Sequence, residues 1–195
     1  MSSTGFEAVP AVAADAGRPD AGAVVMTFDG TSVADVEQIR TVARRLAAAR
    51  DAGQRVVGVL SAIGSTTTEL AELAREVSPH PHERELDMLV SVGERVSCAL
   101  AAMVLIDLGY DAISLTGSQA GIVTDTAHGQ AKVVEVRARR IREALDRGAI
   151  VLVAGFQGVS TDAEVTTLGR GGSHTTAAAL ATALGADLCE NVLHG

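Results

Sequence analysis

The chain has 195 residues, a formal charge of −8 and 47% hydrophobic residues, with only 2% aromatic. This length suits one domain with an aliphatic core and is short for two. The negative charge argues against a nucleic-acid-binding protein, which needs a basic face. No apolar run reaches the roughly 18 residues of a membrane span. We therefore predict a globular domain that binds neither nucleic acid nor membrane.

Residues 1–22 are small, polar and contain Pro and Gly, without the basic start and apolar stretch of a signal peptide. This composition predicts a disordered N-terminal tail, a single domain over residues 23–195 and a cytoplasmic location. Cys98 and Cys189 lie in apolar helical contexts, which favours two buried thiols, with a disulfide or redox pair as the alternative.

The predicted elements alternate between short apolar strands and amphipathic helices. The apolar run at residues 23–28 is typical of a strand covered on both faces, and Ser32 is predicted to cap the helix that follows. Strands are predicted at residues 23–28, 55–60, 111–115 and 149–154, with a hairpin over 122–136. Helices are predicted over residues 33–51, 65–77, 83–108 with an interruption near Gly93, and 139–147. Residues 168–174 are predicted to open a last helix that runs to about residue 184. This order predicts an α/β fold, a three-layer α/β/α sandwich with a mostly parallel sheet.

Loops of Gly, Ser and Thr follow the apolar runs that end at Phe28, Leu60 and Leu115, and a fourth lies at residues 169–173. In parallel α/β folds, ligands bind beyond the carboxyl ends of the strands, where helix N-termini favour anions. Four such loops indicate a phosphate or carboxylate site, and ordinary tight turns are the alternative interpretation.

Seven segments resemble aspartokinase, a member of the amino-acid kinase family, in order and spacing. They are residues 28–33 (FDGTSV), 59–64 (VLSAIG), 85–89 (ELDML), 93–95 (GER), 116–121 (TGSQAG), 155–159 (GFQGV) and 166–173 (TTLGRGGS). The resemblance covers about residues 23–190. It implies an α/β/α sandwich that commonly dimerises through helices and transfers a phosphoryl group from ATP to the side chain of aspartate.

Three departures from the family pattern affect the nucleotide side. Thr27 stands where the family has a lysine, Asp29 where it has a glycine, and His174 where it has an aspartate. The chain also ends where the resemblance implies further nucleotide-binding segments. Phosphoryl transfer depends on charge stabilisation, and loss of one key electrostatic group commonly costs about 10²–10³ in rate. We therefore expect no ATP-dependent kinase activity and no bound cofactor.

The residues that resemble the family's aspartate contacts are present. The predicted substrate-binding residues are Thr27, Ser61, Thr67, Glu94, Arg170 and Ser173. Arg170 can pair with a carboxylate in bidentate fashion, and Glu94 can hold an ammonium group. This indicates a pocket kept for a small amino-acid-like or carboxylated ligand. The alternative is retention for folding alone.

His174, Asp29 and Glu94 are the predicted catalytic residues, because a histidine beside a carboxylate is suited to proton transfer. Our leading hypothesis is an enzyme of specialised metabolism that performs acid–base chemistry: cyclisation, hydrolysis or condensation of a small acid, amide or amine. A non-catalytic subunit or ligand sensor and a residual aspartate kinase are the alternatives. His174 as a helix-capping or solvent-facing residue is the other interpretation of that position. We expect a homodimer.

The remaining histidines indicate no metal site. His80 and His82 lie in a short linker that is more typical of an exposed segment than of a metal site. His128 and His194 have no neighbouring partners in sequence, and no Cys/His spacing matches structural zinc.

Overall fold

The computed structural model describes Ala13–Ala14 and residues 22–189, and these residues form six helices and ten strands. The helices are α1 (Val36–Asp51), α2 (Thr66–Val77), α3 (Glu83–Val90), α4 (Val92–Asp107), α5 (Arg139–Asp146) and α6 (Gly172–Leu184). The strands are β1 (Ala13–Ala14), β2 (Ala23–Phe28), β3 (Arg55–Leu60), β4 (Ala112–Leu115), β5 (Ile122–Thr124), β6 (Val133–Val136), β7 (Ile150–Ala154), β8 (Gln157–Ser160), β9 (Val165–Thr167) and β10 (Asp187–Cys189).

The central sheet has the order β10-β2-β3-β7-β4, and all its strands are parallel. Its middle strands are almost continuously buried, as expected when helices cover both faces of a parallel sheet. The register pairs Phe28 with Leu60 and Leu60 with Ala154, so β2, β3 and β7 end at the same edge. The predicted α/β fold with a mostly parallel sheet is confirmed.

A second, mixed sheet has the order β1-β6-β5-β8-β9. Its β5 and β6 pair antiparallel and confirm the predicted hairpin. The antiparallel pair β8 and β9 was not predicted, because these strands are short and carry Gln, Gly, Ser and Thr. The predicted disordered tail lies almost wholly outside the described residues and stays a prediction, while Ala13–Ala14 pair with β6.

Two aliphatic cores flank the central sheet. On one face, Leu46 of α1 and Leu105 of α4 pack with Phe28. On the other, Ile141 of α5 and Leu180 of α6 belong to the same buried cluster as the inner strands. All five of these side chains are fully buried. The helices are therefore held by hydrophobic burial against the sheet, which places their N-termini near its carboxyl edge.

One predicted helix start was wrong, and one predicted helix interruption is confirmed. Helix α1 begins at Val36 because Asp35, in an extended conformation, accepts a 2.8 Å hydrogen bond from the amide of Gln38. The expected cap, Ser32, instead donates its hydroxyl to Asp29. The interruption expected near Gly93 falls at Ser91, between α3 and α4.

The stretch Glu83–Asp107 is long and apolar enough to cross a membrane on length and composition alone, but half of its most apolar window is buried in the structure. Its buried residues include Leu105, which packs in the core beside the sheet. Burial in the core thus accounts for much of its hydropathy, and the prediction that the chain does not enter a membrane stands as a prediction.

Candidate functional site

A cavity of about 580 Å³ opens at the carboxyl edge of the central sheet. Its walls come from the loops after β2, β3 and β7, the first turns of α2 and α4, and the loop that begins α6. All eight residues predicted to form the site line this cavity: Thr27, Asp29, Ser61, Thr67, Glu94, Arg170, Ser173 and His174. The fold therefore brings together residues that are up to 147 positions apart, between 27 and 174.

The N-terminus of α6 is aimed at the cavity through Gly171, Gly172 and Ser173. Gly171 precedes the helix with φ of 76°, and no side chain caps the first turn. The Ser61 hydroxyl donates a 2.9 Å hydrogen bond to the Ser173 hydroxyl, which joins the end of β3 to this turn. Uncapped amides and the helix dipole make the turn a favourable place for an anionic group of a ligand.

The turn after β2 is held by the Asp29 carboxylate. Its Oδ1 accepts hydrogen bonds from the Thr31 hydroxyl at 2.7 Å, the Ser32 amide at 2.8 Å and the Ser32 hydroxyl at 2.9 Å. Burial acts to raise the pKa of Asp29, but these hydrogen bonds outweigh it and the pKa is lowered. Asp29 is therefore an ionised group at neutral pH and places a fixed negative charge beside the cavity.

Glu94 is the most unusual ionisable group of the site. It lies in the first turn of α4, is only 3% exposed, and its Oε2 has no hydrogen-bond partner. Burial raises its pKa to about 7, against smaller lowering effects of backbone hydrogen bonds from Glu94 itself and Ala62 and of the Arg95 charge. A buried polar atom without a partner costs free energy, so Oε2 is suited to contact a ligand.

The cavity contains little positive charge. Among its lining residues, Arg170 is the permanently charged cation, and His174 adds a second when protonated. Thr27 is 5% exposed and contributes a neutral side chain where the family resemblance implies a lysine. The single lysine of the chain, Lys132, is not among the lining residues.

The sequence prediction missed Phe156, which also lines the cavity. It follows Gly155 at the end of β7 and has φ of 65°, a left-handed conformation that is rare for an aromatic residue. A Cβ on Gly155 would lie 2.6 Å from Ser173 Oγ, so the loop after β7 packs directly against the α6 turn. The motif at residues 155–159 marked this segment as part of the family resemblance, but its amino-acid sequence does not predict the left-handed backbone conformation of Phe156.

Cys98 and the linker histidines, His80 and His82, lie outside the cavity. Cys98 is a buried free thiol as predicted, and burial raises its pKa above the usual range. The side chain of Cys189 lies outside the described residues. His80 and His82 are exposed. Within the described part of the chain, no group of three or more His, Cys, Asp or Glu is arranged to hold a metal ion.

Comparison with known proteins establishes the family. The profile described as "Amino acid kinase family" matches residues 22–193, so the chain belongs to that family. It is 58% identical over 168 residues to an aspartokinase of Mycolicibacterium smegmatis, and 55% identical over 169 residues to one of Geobacillus stearothermophilus. These matches cover 86% and 87% of this chain but only 40% and 42% of the relatives, so the chain spans about two fifths of their length.

Solved structures agree with this assignment. The aspartate kinase of Synechocystis superposes with a TM-score of 0.72 at 45% identity, over 85% of this chain and 27% of that one. Aspartokinase III of E. coli, solved in complex with aspartate and ADP, gives a TM-score of 0.75 at 27% identity, over 87% of this chain and 49% of that one. The predicted resemblance to aspartokinase is confirmed.

Proposed function

We propose that this chain binds a small amino acid or a related carboxylated metabolite in the cavity and performs proton transfer on it, without transferring phosphate. The observation that carries the proposal is Glu94, a buried carboxyl with an unpartnered oxygen at the cavity wall. A ligand ammonium group would supply the missing hydrogen-bond donor. A pKa of about 7 lets Glu94 both accept and release a proton near neutral pH.

The opposite end of such a ligand is served by Arg170 and the first turn of α6. Arg170 can donate two parallel hydrogen bonds to one carboxylate, and the α6 amides favour the same negative group. Ser173 is anchored by Ser61 in that turn and offers a further polar contact. An α-amino acid, with its ammonium and carboxylate groups, matches this pair of unlike charges.

His174 is the second candidate for proton transfer. It lies in the first turn of α6 and lines the same cavity as Glu94. An imidazole and a carboxyl with a pKa near neutral form a suitable acid–base pair for cyclisation, hydrolysis or condensation. The three hydrogen bonds to Oδ1 of Asp29 support a role in holding the β2 turn, with electrostatic influence on the ligand.

The electrostatics of the cavity disfavour phosphoryl transfer. A nucleotide brings several negative charges, and the cavity offers one permanent cation, no lysine and the ionised Asp29. Catalysis of phosphoryl transfer consists largely of neutralising these charges. Thr27 in place of a lysine and an added carboxylate therefore both raise the barrier.

Calorimetry with L-aspartate and with magnesium-ATP tests the proposal. We expect the wild-type chain to bind L-aspartate, and E94Q to bind it at least about tenfold more weakly, because a charged hydrogen bond is lost. Magnesium-ATP should give no heat of binding at millimolar concentration. Glu72, exposed on α2, provides the control E72Q. Tight magnesium-ATP binding, or equal L-aspartate affinity of E94Q and wild type, would contradict the proposal.

A residual aspartate kinase is the second candidate, because 86% of this chain aligns to a curated aspartokinase at 58% identity. An ATP-dependent aspartyl hydroxamate assay decides between the two. Signal that scales with enzyme concentration and disappears in R170A would establish kinase activity. Absence of signal at high enzyme concentration would exclude kinase activity and leave two possibilities, acid–base chemistry or a non-catalytic ligand sensor. Turnover of a supplied substrate would then distinguish the enzyme from the sensor.

The exposed face of α4 supports the predicted homodimer. Val92, Val96, Met103 and Ile106 are 42%, 43%, 59% and 56% exposed and recur at helical spacing. Glu94 and Arg95 on the same helix are turned away from this stripe, one buried and the other bonded to Gln157. The exposed charge on α4 is Asp107, at the C-terminal end of the helix. The apolar face that precedes it is suited to pack against its own copy about a two-fold axis. Dimerisation and a cytoplasmic location are both proposals.

A further inference from the structure

A buried carboxylate outside the cavity joins three separate segments of the chain. Asp87 of α3 is 1% exposed, and its Oδ1 accepts a 2.5 Å hydrogen bond from the Thr167 hydroxyl at the end of β9. Its Oδ2 lies 2.7 Å from Nδ1 of His128 in the β5–β6 loop. The amide of Gly129 donates to both oxygens at 3.1 Å. The carboxylate therefore fastens α3, the β5–β6 loop and β9 to one another.

This network continues into the cavity through the backbone. The carbonyl of Thr167 accepts a 2.9 Å hydrogen bond from the amide of Ala131. Two residues after Thr167, the chain reaches Gly169, where a Cβ would lie 3.4 Å from the carbonyl oxygen of Gly129. Residues 168–173, which include Arg170 and Ser173 of the cavity wall, thus begin on a platform formed by the β5–β6 loop.

Residues 168–173 (LGRGGS) lead into α6 and include three glycines, and the Gly172 amide donates a 3.1 Å hydrogen bond to the Gly169 carbonyl within the segment. Gly169 and Gly171 have φ of 75° and 76°, and glycine loses more conformational entropy on ordering than other residues. Arg170 is exposed between them. The position of its guanidinium group therefore depends on the surroundings that hold the loop ends.

We propose that Asp87 and His128 are positioning residues, which fix residues 168–173 so that Arg170 and Ser173 face the ligand. The ligand-binding part of this inference rests on the proposed function, whereas the ordering of the loop does not. Neither residue lines the cavity. Each acts through Thr167 and Gly129, and the imidazole of His128 keeps the β5–β6 loop seated on the buried carboxylate.

The β5–β6 loop has its own stabilising contacts, so loss of His128 should release residues 168–173 without unfolding the hairpin. Oδ1 of Asp125 accepts hydrogen bonds from the amides of Ala127 at 3.2 Å and Lys132 at 3.1 Å. The amide of Asp125 donates to the carbonyl of Lys132 at 3.0 Å. Thr126 is exposed in the same loop and takes no part in the hydrogen bonds to Asp87, so T126A offers a control that leaves these contacts in place.

Hydrogen–deuterium exchange of the full chain, without ligand, tests the positioning role. We expect H128A to exchange the amides of residues 168–173 about tenfold faster than wild type, with α1 unchanged. H128N should stay within about threefold of wild type, because the asparagine amide nitrogen takes the place of Nδ1. T126A should leave the exchange of residues 168–173 unchanged. Should H128A not fold, H128Q replaces it, since its longer side chain carries the amide past the Nδ1 position.

Unchanged exchange of residues 168–173 in H128A, or an equal increase in T126A, would overturn the inference. Calorimetry with L-aspartate on the same variants separates it from the proposed function. Weaker L-aspartate binding in H128A, rescued in H128N, supports both. If residues 168–173 exchange faster in H128A but the wild type does not bind L-aspartate, the positioning role is supported and the proposed amino-acid ligand is contradicted.

Discussion

Gly93 and Ala62 are in closer contact than any side chain on Gly93 would permit. A Cβ built on Gly93 would lie 2.6 Å from Cβ of Ala62, which belongs to the loop after β3. Glu94 directly follows Gly93 in the chain, and both Glu94 and Ala62 line the cavity. The absence of a side chain at position 93 thus allows the first turn of α4 to bring the Glu94 carboxyl against the cavity.

The pair can be tested by a double-mutant cycle. We expect G93A to lower the free energy of unfolding by about 1–3 kcal/mol through overpacking, although alanine is the better helix former. Combining it with A62G removes the clashing methyl group and should restore at least half of that loss. Urea unfolding of the four proteins measures the coupling. If the changes in unfolding free energy of the two single variants add up to that of the double variant, the position of the α4 turn does not depend on this contact.

The raised pKa of Glu94 predicts a pH-dependent stability. In the folded chain Glu94 keeps its proton up to pH of about 7, whereas the unfolded chain releases it near the ordinary value of 4.5. The folded state therefore binds more protons within this window, and the free energy of unfolding falls as pH rises through it. The loss amounts to roughly 3 kcal/mol between pH 4 and pH 8.

Urea unfolding of wild type and E94Q at pH 5 and pH 8 measures this effect. E94Q has no proton to lose at this position, so it should be more stable than wild type by about 1–3 kcal/mol at pH 8 and near equal at pH 5. The exposed-residue control E72Q should follow the wild-type profile. A difference between E94Q and wild type that is the same at both pH values would argue against a titrating Glu94.

Much of the fold was predictable because strong local patterns determine it. The strands at residues 23–28 and 55–60 were predicted at the bounds that β2 and β3 have, since each is an unbroken apolar run between polar turns. Parallel topology then places the loops after these strands at one edge. The family resemblance, together with this topology, predicted eight of the fifteen residues that line the cavity.

What could not be predicted depends on tertiary contacts. Ser32 and Asp35 are both suitable helix caps, and the choice falls on Asp35 because Asp29 engages the Ser32 hydroxyl. His128 has no partner near it in sequence, yet it pairs with Asp87, 41 residues away. The unpartnered oxygen of Glu94 is likewise a property of packing, and no pattern of letters reveals it.

Arg170 is expected to hold the ligand carboxylate. If the wild-type chain binds L-aspartate, R170A should raise the dissociation constant at least about tenfold, because a charge-assisted hydrogen-bond pair is lost. R170K should recover only part of the affinity, since an ammonium group cannot form the bidentate pair. Calorimetry measures both, with R44A on the exposed face of α1 as the control. Equal affinity of R170A and wild type would place the carboxylate elsewhere.

The apolar stripe on α4 can be tested as a dimer interface, and the chain contains a matched control. Val96 of α4 and Val134 of β6 are 43% and 44% exposed, so V96E and V134E make the same chemical change at nearly equal exposure. If two copies pack through α4, V96E buries a carboxylate in the interface and should yield a monomer, whereas V134E should remain a dimer. Light scattering after size-exclusion chromatography, at tens of micromolar protein, measures the mass. A monomeric wild type, or dissociation of both variants alike, would show that α4 is not the dimer interface.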